Sequence, residues 1–220
     1  KAIINPTVMV LWGGYIQPNV SLCDDNNKVH YNLNNNGHPY VDLGLPSGTL
    51  WATMNVGASK PSDYGLFFQW GDTQGYAKEQ VGTGDGKKKF ASDWSDYKWR
   101  LSGDNEDNVA FTKYATTGAT LELKDDAAHA NMGGSWHMPT YKQINELISN
   151  TTTAWTTSDS VTGMTFTSSN GKSIFIPASG HIEDGRAFNT DLCSFWSSRI
   201  DGTFVFKGNY LLGEEYGPVI

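Results

Sequence analysis

Five histidines, His30, His38, His129, His137 and His181, are the side chains best suited to move a proton or hold a metal. None forms a His-x-His pair or a His-Glu-x-x-His helix signature, and none has a carboxylate at ligand spacing, so no zinc site is expected. The only candidate for a nucleophile elbow, Gly134-Ser135-Trp136, lacks the second glycine and precedes a helix start, where a turn is the plainer reading. Gly82-Thr83-Gly84-Asp85-Gly86-Lys87 is too short for a phosphate loop and follows no strand. Asp104-Asn105-Glu106-Asp107-Asn108 gathers oxygen donors of the kind Ca²⁺ prefers, but without EF-hand spacing, and reads first as a solvated acidic turn. Cys23 and Cys193 belong to no Cys-x-x-Cys motif. A disulfide between them and two buried free thiols are both open, the second being the plainer reading. No cofactor is expected, with Ca²⁺ the single candidate.

The chain has 220 residues, a formal net charge of -7 and a pI of about 5.1. Its basic residues are scattered apart from Lys87-Lys88-Lys89, which reads as a solvated loop tip; phosphate backbones need clustered cations, so nucleic acid is not an expected partner. Hydrophobic content is 38%, yet aromatic content is 13%, enough large rings to build a core. Asn, Thr, Ser and Gly take the place of charge, a mix common in loop-rich extracellular β proteins and phage fibres. No apolar run approaches the length of about 18 residues that a membrane span needs. The sequence opens on Lys1, with neither Met nor signal peptide, and is expected to be a fragment or a processed product.

Two helices must carry much of the organisation. Asp125 and Asp126 can cap a short helix through Ala127, Ala128 and His129 that stops near Gly133. Thr140 with Gln143 forms a capping-box pattern, followed by Tyr141, Ile144, Leu147 and Ile148 on one face. The rest reads as strands and turns. Residues 40–45 and 50–56 are strand candidates around Pro46-Ser47-Gly48; residues 164–167 and 173–176 flank Ser169-Asn170-Gly171, a strong hairpin signal. Residues 195–198, 203–206 and 210–212 are further strands. Residues 72–113 are polar and Gly-rich, a packed or functional loop. Residues 1–36, with a strand candidate at 7–11 and turns at 24–27 and 34–37, read as a small N-terminal β appendage, and residues 37–220 as the main domain.

Several segments in this order resemble the Fibrobacter succinogenes major paralogous domain, a family widespread in Bacteroidetes secreted proteins. They are residues 37–52, Asn55-Val56-Gly57-Ala58, Asp63-Tyr64-Gly65 with Phe68-Gln69-Trp70-Gly71, and Asp125-Asp126-Ala127-Ala128. Then follow Gly133-Gly134-Ser135-Trp136-His137-Met138-Pro139-Thr140, Ile176-Pro177-Ala178-Ser179-Gly180 and Phe195-Trp196-Ser197-Ser198. The resemblance implies an α+β, C-type-lectin-like domain of mostly short antiparallel strands and long loops with two short helices. It also implies kinship with formylglycine-generating enzymes and with the variable proteins of diversity-generating retroelements, phage receptor-binding proteins among them. His137 stands where the family usually has Arg, and the strands after Arg199 match poorly. The enzyme reading needs a reactive Cys pair, whereas Cys193 is alone in its region. The lectin-type Glu-Pro-Asn or Gln-Pro-Asp loop is missing from the main domain; Gln17-Pro18-Asn19 lies in the appendage.

The shared segments look structural: Trp136 and Met138 alternate into a core, Pro139 fixes the helix start, Thr140 caps it, and Trp51, Trp70 and Trp196 anchor the interior. Ligands of C-type-lectin-like domains bind loops of the C-terminal half, which here holds Glu183, Asp184, Arg186, Phe188, Asn189, Arg199, Asp201 and Tyr210. Arg and aromatic side chains among Asn and Asp suit recognition, so these eight are the expected ligand-binding residues. The expected function is non-catalytic binding of a protein or glycan on a cell surface, as a secreted, surface-displayed or virion module concerned with adhesion or receptor recognition. A structural role in a virion or surface fibre, with homo-oligomer assembly, is the alternative.

Overall fold

The computed structural model describes residues 13–14, 34–90, 97–101, 111–116, 118–183, 185–188, 191–200, 203–207 and 210–215. The strand expected at 7–11, the turn at 24–27, Gln17-Pro18-Asn19, Cys23 and the acidic stretch 104–108 lie outside the described residues.

Strands β1 (Gly13–Gly14), β2 (Asn34–Asn35), β3 (His38–Asp42) and β4 (Leu50–Ala52) form one antiparallel sheet in the order β1-β4-β3-β2. Trp51 of β4 pairs with Gly13 on one side and Val41 on the other. The β2–β3 turn sits at Asn36 and Gly37, both with positive φ (52° and 83°), the conformation that a two-residue hairpin turn demands. Residues 34–35 therefore join the same sheet as β3 and β4, and the expected boundary at 36/37 falls inside this turn. Two strands are shorter than expected. β3 stops at Asp42 because the Asp42 carboxylate accepts the Gly44 N–H at 2.8 Å and Gly44 turns left-handed, at φ 67°. β4 stops at Ala52 because the chain turns at Asn55, whose carbonyl accepts the Ala58 N–H at 3.0 Å.

Helices α1 (Ala127–Met132) and α2 (Tyr141–Ser149) begin where local capping places them. The Asp126 carboxylate accepts the N–H groups of Ala128 (2.8 Å) and His129 (3.0 Å), satisfying donors that a helix start leaves unpaired. Thr140 Oγ1 accepts the Gln143 N–H at 3.2 Å, while Gln143 Oε1 accepts the Thr140 N–H at 2.8 Å. Ile144 and Leu147 are wholly buried, with Tyr141 and Ile148 packed beside them. The helix ends at Asn150, whose amide donates to the Glu146 carbonyl at 2.8 Å.

Beyond α2 run β5 (Thr151–Ser158), β6 (Val161–Ser168) and β7 (Ser173–Pro177), an antiparallel meander. β6 and β7 turn around Asn170-Gly171 as the sequence predicts. The β5–β6 turn uses Asp159 (φ 48°) and Ser160 (φ 66°), two non-glycine residues in the left-handed region, so it carries no Asn-Gly signal. Lys60 and Ser62 hold the Asp159 carboxylate at 3.0 and 2.8 Å. The last strands are the hairpin β8 (His181–Glu183) with β9 (Arg186–Phe188), and a sheet of β10 (Cys193–Trp196), β11 (Thr203–Lys207) and β12 (Tyr210–Glu215). The architecture is thus mixed: short antiparallel strands in small sheets with two short α-helices.

The core gathers Trp51, Trp136, Trp196, Phe68, Phe166 and Phe195, each at most 1% exposed. Burying a ring of this size stabilises by about 2–3 kcal/mol. Trp70 joins them, and its indole N–H donates to the Ser197 carbonyl at 3.0 Å, closing a contact across 127 residues. Trp136 and Met138 both point inward, at 1% exposure.

Candidate functional site

The region after Gly180, expected to be loops, forms a hairpin instead. His181 pairs with Phe188, Ile182 with Ala187 and Glu183 with Arg186. Ile182 roots it: the side chain is buried in a cluster with Phe67, Val81 and Phe90. Arg186 and Ala187 face solvent. The tip turns through Gly185 (φ 70°), and a Cβ there would lie 2.8 Å from the Gly82 carbonyl carbon. This close approach seats the hairpin against the loop that carries Lys87, Lys88 and Lys89. Gly82 and Lys88 pin that loop at its base, the Gly82 N–H donating to the Lys88 carbonyl at 3.0 Å. The Lys88 amine sits 5.1 Å from the centre of the Phe90 ring, a cation–π contact, while Lys87 and Lys89 are exposed. The exposed Arg186 thus follows a tip that packs on the loop holding exposed Lys87 and Lys89, together with exposed Asp85.

The eight expected ligand-binding residues do not all gather there. Glu183, Arg186 and Phe188 lie on the hairpin strands. Tyr210 starts β12, opposite Lys207. Arg199, beyond the end of β10, is half-buried and bridged to Thr120, with its guanidinium 5.0 Å from the centre of the Tyr141 ring. Its visible engagement is with α2, a packing role. Asp184, Asn189 and Asp201 lie outside the described residues.

A second cluster joins Trp70, Tyr97, Trp99, Phe111 and Tyr114 edge to face, with ring centres 4.9–6.2 Å apart. Lys98 lies 4.2 Å from the centre of Trp99 and Lys113 4.6 Å from that of Tyr114. Asp125 accepts from the Tyr114 hydroxyl at 2.8 Å and pairs with Lys113. Burial would raise the Asp125 carboxyl, but Lys113, Tyr114 and Lys98 outweigh it and hold the group below the usual carboxylate range. Gly71 packs against the Trp99 ring, where a Cβ would come within 2.3 Å of its outer carbons. With Lys98 over the ring and Trp70, Tyr97 and Tyr114 around it, Trp99 is a packed element and not an open stacking platform.

Cys193 is buried, and its Sγ donates to the Ile176 carbonyl at 3.2 Å. Burial pushes the thiol up to about 12, so it is not poised as a thiolate nucleophile. Among the described residues no group of three or more His, Cys, Asp or Glu could hold a metal ion, and no helix is long and apolar enough to cross a membrane.

A cleft of about 450 Å³ opens beside β3 and β4, between residues 54–59 and the C-terminal end of α1. Its walls are Met54, Val56, Leu66 and Met132, with His38, Asn55, Ser59 and Asn131 as polar neighbours. Sequence reasoning missed it: Asn55-Val56-Gly57-Ala58 carries no chemical signature, and the walls come from three separate parts of the chain. No family model matches the chain, and neither does any curated protein or solved structure.

Proposed function

We propose that the chain is a non-catalytic recognition module with a C-type-lectin-like fold, of the kind its resemblance to the Fibrobacter succinogenes major paralogous domain implies. It is displayed outside the cell, on a bacterial surface or phage particle, and binds a protein or glycan ligand. The observation that carries this reading is the β8–β9 hairpin. Its root is locked by Ile182 in an aromatic cluster, and its outer edge presents Arg186 beside the lysine loop. A rigid base with an exposed cationic edge is preorganised for binding and costs little ordering entropy when a ligand docks. That edge favours ligands that carry negative charge. The formylglycine-generating reading needs a reactive Cys pair, and the buried, raised thiol of Cys193 does not favour it.

The test is binding to a glycan array and to surface-protein fractions, comparing the chain with Arg186→Ala and Lys87→Ala/Lys89→Ala variants. The variants should fold as the parent does and lose most binding, with affinity that falls as salt rises. Binding that is untouched by all three substitutions would remove the hairpin edge from the proposal.

A further inference from the structure

The cleft beside the first sheet shares no residue with the hairpin edge. Its volume of about 450 Å³ lies within the range of small-molecule sites, roughly 300–1,000 Å³. Among the described residues its lining includes no Lys, Arg, Asp or Glu, although charged residues make up 18% of the chain. Its one titratable group is His38, which burial holds towards the neutral form, so an ion entering it would be desolvated with little countercharge from the described lining. Among the described residues the lining includes no Phe, Tyr or Trp either, and its one aromatic ring, the His38 imidazole, meets Trp136 edge-on, so a sugar ring finds no broad aromatic face to stack on. What remains is aliphatic surface from Val56 and Leu66, and two thioethers, Met54 and Met132, whose flexible, polarisable chains adapt to irregular apolar shapes. Uncharged polar groups complete it. Asn131 donates its amide to the carbonyls of Thr73 (3.1 Å) and Ala127 (2.7 Å), which fixes the side chain at the rim. Asn55 donates to the Tyr64 carbonyl at 3.1 Å, which holds the turn that forms one wall.

We propose that this cleft binds a small uncharged molecule with an aliphatic body and one neutral polar end, such as a primary amide. The aliphatic body displaces water from the Met54, Leu66 and Met132 surface, and the polar end exchanges hydrogen bonds with the neutral groups of the rim.

Methionine-methyl NMR reads this directly, because the four described methionines separate into two sets. Met54 and Met132 line the cleft, whereas Met138 and Met164 are buried elsewhere, at 1% and 0% exposure. The probe is hexanamide, with hexanoate and hexylammonium as charged counterparts of the same chain length. Hexanamide should shift the Met54 and Met132 methyls saturably and leave Met138 and Met164 in place. The two charged probes should bind at least about tenfold more weakly. Met54→Glu should abolish hexanamide binding and favour hexylammonium over hexanoate. Ala58→Phe, which fills the cleft without adding charge, should weaken hexanamide by about tenfold or more and keeps the test decisive if Met54→Glu does not fold. Arg186→Ala should leave all of these results unchanged, which separates this site from the hairpin edge. No saturable shift at Met54 and Met132, equal affinity for the three probes, or full binding by Ala58→Phe would each overturn the proposal.

Discussion

The Asp126 carboxylate receives the Met138 N–H between its two oxygens, at 3.0 and 2.8 Å, across 12 residues of sequence. The same carboxylate caps α1 through Ala128 and His129, so one buried side chain, 2% exposed, ties the start of one helix to the strand-like approach to the next. Burial raises its pKa, opposed by the backbone donors of His129, Met138 and Ala128 and by the nearby His137. Residues 125–128 and 133–140 are thus joined by this one group.

Replacing Asp126 should therefore cost more than an ordinary helix cap. Loss of a cap costs about 1 kcal/mol, and each backbone donor left buried without an acceptor adds about 1–3 kcal/mol. Asp126→Ala should destabilise the fold by about 3 kcal/mol or more. Asp126→Asn keeps one acceptor oxygen and should lose clearly less. Urea denaturation orders the two variants; an Asn variant as damaged as the Ala variant would contradict the multiple-acceptor role.

Gly185 holds the hairpin tip at φ 70°, with Gly82 backbone where a Cβ would go. Gly185→Ala should cost about 1–3 kcal/mol of local strain, and the cheapest relief is to lift the tip from the Gly82 loop. Hydrogen exchange at Ile182 should accelerate while the global urea midpoint moves little, and binding should fall as it does for Arg186→Ala. Unchanged exchange at Ile182 would show that the contact does not hold the hairpin.

His181 lies at the hairpin root, 9% exposed, and burial lowers its pKa below the ordinary 6.5; burial does the same to His38, which meets Trp136 edge-on with ring centres 6.5 Å apart. The folded chain disfavours the charged imidazole, so below about pH 6.5 the unfolded state binds more protons. The stability that depends on neutral His181 is complete above that value and falls as pH drops towards its folded pKa. The urea midpoint should decrease between pH 7.5 and pH 5, less steeply in His181→Gln. Asp125 and Asp159, held below the usual carboxylate range, lose their contribution only at lower pH, while Asp126, raised by burial, gains stability as pH falls and opposes the slope equally in both proteins. A slope identical in His181→Gln would reject the assignment.

Both helices were legible in the sequence because capping acts over three or four residues: Asp126 and Thr140 each satisfy donors in the next turn, and the Ile144–Leu147 spacing marks the buried face. The Asn170-Gly171 hairpin was legible for the same local reason. The sequence alone also implied a mixed fold with Trp51, Trp70, Trp136, Met138 and Trp196 inside, since large apolar side chains leave water wherever a core exists. What the tertiary structure decided was everything that depends on distant segments meeting. It ended β3 and β4 early, through turns at Gly44 and Asn55, and built β5 and its turn on Asp159 and Ser160, which lack the Asn-Gly signal of a two-residue hairpin. It made a hairpin of residues 181–188 by giving Ile182 a pocket of Phe67, Val81 and Phe90, and it set Arg199 against Tyr141 of α2, away from that hairpin. It also formed the cleft from a turn, a sheet and a helix end. No local pattern encodes those contacts, because each depends on which surfaces remain to be buried once the helices and hairpins have formed.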